Sequence, residues 1–173
     1  MSGDPTRAAV DLFRWQPPAG RGRRETISLD PADTTAYIEL IDDAYNANPA
    51  SMVAALEVLA ASDPQQRLGQ GARRIAILGD MLELGREEAL SHAQLSQNKH
   101  LLTVDVVHCV GPRMRACYEA LPAAIRGRWV PEAQELASGL GELVAAGDRV
   151  LVKGSLGSKV SMIVDLIRNL GHR

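Results

Sequence analysis

The most constraining feature of this sequence is a stretch in which an apolar run, a polar segment and a helical pattern follow one another directly. Residues 38–41 (IELI) are mostly apolar, residues 42–51 (DDAYNANPAS) carry two carboxylates and two amides, and residues 52–56 (MVAAL) begin an amphipathic repeat. Asn and Asp compete for backbone hydrogen bonds and Pro lacks a donor, so the polar segment indicates a turn. Strand, loop and helix in this order form the unit of an open α/β sheet, which binds ligands at the carboxyl ends of its strands.

Strands and helices alternate along most of the chain. The pattern predicts strands at residues 26–33, 37–41, 74–78, 104–110, 128–130 and 149–152, and helices at 50–61, 86–102, 113–121, 131–145 and 160–170. This alternation predicts an α/β fold, a Rossmann-like three-layer sandwich with a mostly parallel sheet of about six strands and helices on both faces. Residues 1–17 do not fit this alternation of strands and helices, so we interpret them as the remnant of a preceding central domain. Residues 18–30 are predicted to be an interdomain linker, and residues 31–173 to form one domain.

Composition excludes several classes of function. A net charge of −2 argues against nucleic-acid binding, and no apolar stretch reaches the ~20 residues of a membrane span. Cys109 and Cys117 are interpreted as buried free thiols of a reducing compartment, which predicts a cytoplasmic protein. His92 and the other histidines stand apart from further ligands, so no metal site is expected.

Polar residues follow three predicted strands, at 42–48, 79–83 and 153–158. Because parallel strands end at one edge, these groups are expected to converge. Asp43 suits ribose hydroxyls, Asn46 and Asn48 suit a base edge, and Tyr45 could stack on the base. The alternative is that these acids and amides cap the next helix and fix the turn.

The segment 153–158 predicts an anion site. Lys153 precedes a helix N-terminus with Ser155, and Ser158 adds a hydroxyl. A carboxylate suits it better than a polyphosphate, because the chain contains no Gly-x-x-x-x-Gly-Lys-Ser/Thr motif. Asp80 is expected either to face a cation or an amine or to cap the helix that follows. Arg21 lies between two glycines, which suits either phosphate or a solvated basic linker.

Together, residues 42–52 (DDAYNANPASM), 77–85 (ILGDMLELG) and 150–155 (VLVKGS) resemble the C-terminal domain of the Mur ligases, over about residues 18–170. The resemblance implies an ATP-dependent amide ligase of peptidoglycan precursor synthesis. The first two motifs are typical of members that join D-alanyl-D-alanine to UDP-N-acetylmuramoyl-tripeptide through an acyl phosphate. ATP and Mg²⁺ belong to the full-length enzyme, whose central domain would precede residue 18. Neither ATP nor Mg²⁺ is expected to be bound to this fragment, which is predicted to be inactive alone.

The same resemblance suggests a division of the site residues. Arg21 matches a linker arginine that reaches the nucleotide, and Asp43 matches the acid that holds the ribose. The full assignment is nucleotide binding by Arg21, Asp43, Tyr45, Asn46 and Asn48, and binding on the D-alanyl-D-alanine side by Asp80, Lys153, Ser155 and Ser158. The chain departs from the family pattern at two positions: Ala44 stands where a serine is usual, and Leu156 stands where an arginine is frequent.

Two other functions fit the same pattern. One is a stand-alone nucleotide-binding module without catalysis. The other is the equivalent domain of a sister enzyme such as folylpolyglutamate synthase, which shares the fold but is expected to lack the first two motifs.

Overall fold

A computed structural model describes residues 18–62 and 72–172 of the chain. Within these residues, one sheet contains β1 (Arg23–Ser28), β2 (Tyr37–Asp43), β3 (Arg74–Gly79), β4 (Val106–Val110), β5 (Arg126–Val130) and β6 (Arg149–Lys153). The α-helices are α1 (Pro49–Ala60), α2 (Glu88–Leu95), α3 (Met114–Ala120), α4 (Ala133–Ala137), α5 (Leu140–Leu143) and α6 (Ser161–Arg168). Short 3₁₀ turns lie at Gly85–Glu87, Leu101–Thr103, Leu156–Ser158 and Leu170–His172.

The sheet has the strand order β1-β2-β6-β3-β4-β5. The edge strand β1 runs antiparallel to β2, and every other neighbouring pair is parallel. Strand β6 therefore lies between β2 and β3, and Lys153 pairs with Asp43 on one side and Leu78 on the other. The predicted mostly parallel sheet is confirmed, and its topology brings the ends of three distant segments together.

Two hydrophobic cores lie on opposite faces of the sheet. One packs α1, α2 and α3 against alternate strand residues such as Ile41, Leu78 and Leu151, and the other packs α4, α5 and α6 against residues such as Leu40 and Val152. Because successive side chains of a strand point to opposite faces, both sets come from the same strands. The predicted three-layer α/β sandwich is confirmed.

Two predicted helices are shorter than expected. The helix predicted at 86–102 ends at Leu95, where the Asn98 side chain accepts the N–H groups of His100 and Leu101 and forms a turn instead. The helix predicted at 131–145 is two helices separated at Ser138 and Gly139, which favour a break.

The segment predicted as a linker, residues 18–30, contains β1 and so joins the sheet along Arg23–Ser28. The remnant predicted at residues 1–17 lies outside the described residues. No helix in the described ranges is long and apolar enough to cross a membrane.

Cys109 and Cys117 are buried free thiols, as predicted. A hydrogen bond with Cys117 raises the pKa of the Cys109 thiol, and burial raises it further. A thiol that resists ionisation is a poor nucleophile, so Cys109 contributes to the core rather than to chemistry.

His108 makes the stability of this fold depend on pH. It lies on β4 with 3% of its surface exposed, and its Nδ1 accepts the N–H of Arg128 at 3.0 Å. Burial, helped by the charges of Arg128 and Arg73, lowers the His108 pKa from 6.5 to about 4. Between these values the unfolded chain binds a proton that the folded chain does not, so acid favours unfolding. We expect the free energy of unfolding to fall by about 2 kcal/mol from pH 7 to pH 5.

Urea unfolding at several pH values checks this expectation. His108→Gln keeps an acceptor for the Arg128 N–H but does not titrate, so most of the pH-dependent loss should disappear. His100→Gln, at a partly exposed site, serves as the control and should keep the loss. The same slope in His108→Gln as in the wild type would contradict the assignment.

Candidate functional site at the carboxyl edge of the sheet

The carboxyl edge, defined here as the residues that end or directly follow β2, β6, β3, β4 and β5, carries most of the polar side chains predicted from sequence. Lys153 is 1% exposed, and its Nζ donates to Asp43 Oδ2 at 2.7 Å and to the Asn46 carbonyl at 2.9 Å. Asp80 directly follows the neighbouring strand β3 at the same edge. The structure therefore brings Asp43, Lys153 and Asp80 to one edge of the molecule.

The contacts of Lys153 bear on its predicted role. Asp43 and the Asn46 carbonyl take two of its three N–H donors. The ammonium is buried, whereas 19% of the Asp43 side chain remains exposed. A substrate carboxylate would have to compete with Asp43 for this cation. Substrate binding by Lys153 stays a prediction, and the geometry favours a role in holding Asp43 and its loop.

Arg21 and Tyr45 form an exposed pair beside this loop. The Arg21 guanidinium carbon lies 4.9 Å from the centre of the Tyr45 ring, and Tyr45 is 47% exposed. The Tyr45 N–H donates to the Gly20 carbonyl at 3.2 Å, which ties the segment before β1 to the loop after β2. The pair offers a planar cation and an aromatic face, both suited to a nucleobase or a phosphate.

Asn48 is the N-cap of α1. Its Oδ1 accepts the Ser51 N–H at 2.9 Å, and Ser51 Oγ accepts the Asn48 N–H at 3.0 Å. Pro49 occupies the first helical position, where its missing donor costs nothing. The capping alternative is therefore confirmed for Asn48, and its contact with a nucleotide stays a prediction.

Replacing the cap should lower stability measurably. Asn48→Ala leaves the Ser51 N–H without its acceptor, and we expect the free energy of unfolding to fall by about 1 kcal/mol in urea titrations. Asn46→Ala is the matched control, because Asn46 is exposed and contributes its backbone carbonyl to Lys153. It should change stability by less than about 0.5 kcal/mol. An equal loss in both variants would contradict the capping role.

Asp80 combines both of its predicted roles. It is 3% exposed, and its Oδ1 accepts the N–H of Met114, the first residue of α3, at 2.8 Å. Its Oδ2 lies 3.5 Å from Arg113 Nη1. Gly111 packs against the carboxylate: a Cβ there would lie 2.4 Å from Asp80 Cγ. Asp80 thus caps a helix and faces a cation.

The two serines after β6 tie the neighbouring loops together. Ser155 Oγ accepts the Leu82 N–H at 2.9 Å and donates to the Ala47 carbonyl at 3.4 Å. Ser158 Oγ donates to the Ser155 carbonyl at 2.6 Å. Ser155 is buried and Ser158 half-buried. Their part in substrate binding stays a prediction.

Two pockets open on the carboxyl edge. The Asp80 pocket has a volume of about 520 Å³, and its wall includes Asp80, Arg113, Glu132, Ser158, Lys159 and Met162. The Tyr45 pocket has a volume of about 210 Å³, and its wall includes Gly20, Asp42, Tyr45, Leu156, Asp165 and Arg168. Lys153 and Ser155 line neither pocket. The edge therefore offers two separate depressions rather than one.

Three cations near these pockets were missed by the sequence reasoning. Arg113 follows Gly111-Pro112 after β4, so the strand-end rule applied to Asp80 could have found it. Its hydrogen bond with Glu88, and then the charges of Glu88 and Asp80, raise the pKa of Arg113. Lys159 is exposed, with a left-handed φ of 56°. Arg168 ends α6, where no local pattern marks it as part of a site.

The His92 ring holds the segment that follows β3 through hydrogen bonds that involve both of its nitrogens. Its Nε2 accepts the Met81 N–H at 3.0 Å, and its Nδ1 donates to the Glu88 carbonyl at 2.7 Å. Both ring nitrogens are thus engaged in fixing the segment after β3. Throughout the described part of the chain, no group of three or more His, Cys, Asp and Glu residues is arranged to hold a metal ion.

Comparison with known proteins identifies the family. The family described as "Mur ligase, glutamate ligase domain" matches residues 22–156. This chain belongs to the Mur ligase family. Among its curated Mur ligase relatives, the UDP-N-acetylmuramoyl-tripeptide–D-alanyl-D-alanine ligase of Rickettsia prowazekii is 32% identical, over 84% of this chain and 29% of its own length. The enzyme of that name from Escherichia coli is 31% identical, over 76% of this chain and 27% of its own length.

Solved Mur ligase structures share the fold. MurF from Acinetobacter baumannii superimposes with a TM-score of 0.70 at 25% identity, covering 90% of this chain and 31% of its own. MurF from Thermotoga maritima, in complex with ADP, superimposes with a TM-score of 0.72 at 21% identity, covering 94% of this chain and 34% of its own. The chain therefore spans about a third of the length of these Mur ligases and corresponds to their C-terminal domain.

Proposed function

We propose that this chain is the C-terminal domain of an ATP-dependent ligase that joins D-alanyl-D-alanine to UDP-N-acetylmuramoyl-tripeptide in the cytoplasm. The observation that carries the proposal is that two groups lie on one edge of the sheet: the Arg21–Tyr45 pair with the Asp43 carboxylate, and the pocket beside Asp80. The tripeptide carboxylate takes the γ-phosphate of ATP to form an acyl phosphate, and the dipeptide amine then displaces phosphate from it. The nucleotide and the dipeptide therefore need neighbouring sites, and the closeness of these two groups supports that arrangement.

The Tyr45 side suits the nucleotide. Arg21 stacked on Tyr45 offers a cation and an aromatic surface. The exposed part of the Asp43 carboxylate can accept hydrogen bonds from ribose hydroxyls, and Lys153 fixes its orientation. A related MurF has been solved with ADP, which agrees with nucleotide use in this fold family. The groups that bind the phosphates and the ligands of Mg²⁺ would come from the remainder of a full-length enzyme.

The Asp80 pocket suits a zwitterionic dipeptide. Its wall places the cations Arg113 and Lys159 near the acids Asp80 and Glu132. Arg113 has five N–H donors, and its contacts with Glu88 and Asp80 do not use all of them, so Arg113 and Lys159 can bind the carboxylate of D-alanyl-D-alanine. Glu132, which is exposed, can bind its ammonium group. Asp80 is occupied by the N–H of Met114 and by Arg113, so it orients the cation rather than the substrate.

A chimera tests this function. The C-terminal third of the E. coli relative is replaced by this chain, and ligation is measured with D-alanyl-D-alanine or glutamate as the amine. We expect ligation of the dipeptide alone, and no phosphate release or ligation by this chain in isolation. A chimera that prefers glutamate would contradict the dipeptide assignment and favour a folylpolyglutamate-type enzyme. Turnover of ATP by the isolated chain would contradict its role as one part of the site.

Arg113 is the sharpest probe of the Asp80 pocket within that chimera. Arg113→Met removes a charge-assisted contact to the dipeptide carboxylate, so the KM for D-alanyl-D-alanine should rise about tenfold with the KM for ATP unchanged. Arg115→Met is the control, because Arg115 lies two residues further along the chain, on α3, and pairs with Glu119 on the surface. Equal shifts of both KM values in Arg113→Met would refute the assignment.

A further inference from the structure

One buried carboxylate holds the turn that carries Arg21. The Gly20 N–H donates to Asp42 Oδ2 at 3.0 Å, and the Gly22 N–H donates to the Asp42 carbonyl at 2.8 Å. The two glycines have φ angles of 76° and 80°, a region that favours glycine. A Cβ on Gly20 would lie 2.8 Å from Tyr45 Cβ. The turn is therefore closely fitted to Tyr45, and its conformation decides where Arg21 lies.

Arg168, at the end of α6, holds the same carboxylate. Its Nη2 donates to Asp42 Oδ2 at 2.8 Å, and its Nε donates to Glu25 Oε2 at 3.1 Å. Asp42 is 3% exposed, so its charge requires a nearby cation, which Arg168 supplies. The hydrogen bond with Glu25, and then that with Asp42, raise the pKa of Arg168, which therefore stays charged.

We propose that Arg168 is a positioning residue for nucleotide recognition, because it holds the Asp42 carboxylate that fixes the Gly20 turn and so keeps Arg21 over Tyr45. The chain of contacts joins residues 126 positions apart in sequence. The inference rests on the proposed function only for the ligand that Arg21 and Tyr45 contact. The placement of Arg21 by Arg168 can be measured without any ligand.

A merely structural role for Arg168 would act through its other partners, Glu25 on β1 and Asp165 on α6. Arg168 also pairs with Glu25 on β1, and this contact could pin α6 to the sheet edge without affecting the turn. Glu25→Gln weakens that ion pair and leaves the contact between Arg168 and Asp42 in place. Asp165→Asn weakens the pair of Arg168 with Asp165 alone, and Arg168→Gln weakens all three contacts. Comparing the three variants isolates the link to Asp42, and Asp165→Asn should leave both signals described next near the wild type.

Two NMR signals of the isotope-labelled chain report on the turn. The Gly20 amide exchanges with solvent slowly while Asp42 accepts its proton, and the Tyr45 ring shifts the side-chain protons of Arg21 upfield. In Arg168→Gln we expect Gly20 exchange to rise about tenfold relative to core amides and the Arg21 upfield shift to shrink towards its random-coil value. In Glu25→Gln both signals should stay near the wild type.

Each outcome decides the proposal. Unchanged signals in Arg168→Gln, or equal changes in Glu25→Gln, would overturn it. Should Arg168→Gln not fold, Arg168→Lys tests the same link, because it keeps the charge but loses the planar fork that reaches Glu25 and Asp42 together; unchanged signals there would also overturn it. ATP is then added to the E. coli chimera that carries this chain with isotope labels. If Arg21 and Tyr45 show no change, the nucleotide assignment fails, whereas the first two signals still decide the role of Arg168.

Discussion

Lys153→Met should lower the free energy of unfolding by about 3 kcal/mol, one of the largest effects expected of a single substitution in this chain. Methionine fills a similar volume but leaves the Asp43 carboxylate and the Asn46 carbonyl without their shared donor. The estimate is at the low end for a broken buried pair because 19% of the Asp43 side chain reaches solvent. Urea unfolding monitored by circular dichroism measures the loss.

Two further variants make this result specific. Asp43→Asn added to Lys153→Met removes the unpaired charge and should recover at least about 1 kcal/mol, since residues in one ion pair are not additive. Lys159→Met is the control, because Lys159 is exposed on the same segment, and it should change stability by less than about 0.5 kcal/mol. A stability for Lys153→Met within that margin would show that the pair does not hold the edge.

Gly111→Ala should lower the free energy of unfolding by about 3 kcal/mol or more, and it should also distort the Asp80 pocket. Gly111 has a φ of 108°, which a residue with a Cβ adopts only under strain. The added methyl would lie 2.4 Å from Asp80 Cγ, so the carboxylate must move from the N–H of Met114 that it caps. The backbone strain at residue 111 and the lost hydrogen bond to Met114 both lower the free energy of unfolding, so their effects add.

Gly141→Ala is the matched control for this substitution. Gly141 lies within α5, and a Cβ there meets no atom within 4 Å. Alanine is the better helix former, so stability should stay equal or rise by up to about 1 kcal/mol. Thermal unfolding of the two variants beside the wild type compares them. A similar midpoint for Gly111→Ala and the wild type would mean that the loop after β4 can move away from Asp80.

The sequence was most informative where local chemistry decides the structure. The polar segment after residue 41 predicts a turn between strand and helix, and the structure places the turn at residues 44–48, between the end of β2 at Asp43 and the start of α1 at Pro49. Asn48 shows the limit of that argument, because capping and ligand contact demand the same residue type. The predicted end of the helix at 86–102 was wrong for a related reason. The Asn98 side chain forms hydrogen bonds with the backbone that follows it and makes a turn there, which a periodicity argument does not include.

The contacts that organise the edge are non-local, and this is why the sequence did not reveal them. Lys153 meets Asp43 across 110 positions, and Arg168 meets Asp42 across 126. A strand-end rule predicts that Lys153 and Asp43 lie at one edge, but not that the lysine is buried against the acid. The division of that edge into two pockets likewise depends on strand order, with β6 between β2 and β3.

The most direct test of the account is an NMR titration, with each ligand in turn, of the E. coli chimera in which only this chain is isotope-labelled. With ATP, the account predicts shifts at Arg21, Tyr45 and Asn46. With D-alanyl-D-alanine, it predicts shifts at Arg113 and Lys159, and neither ligand should perturb the other set strongly. If both ligands shifted the same residues, or if the dipeptide shifted the Tyr45 side, the assignment of two adjacent substrate pockets would be wrong.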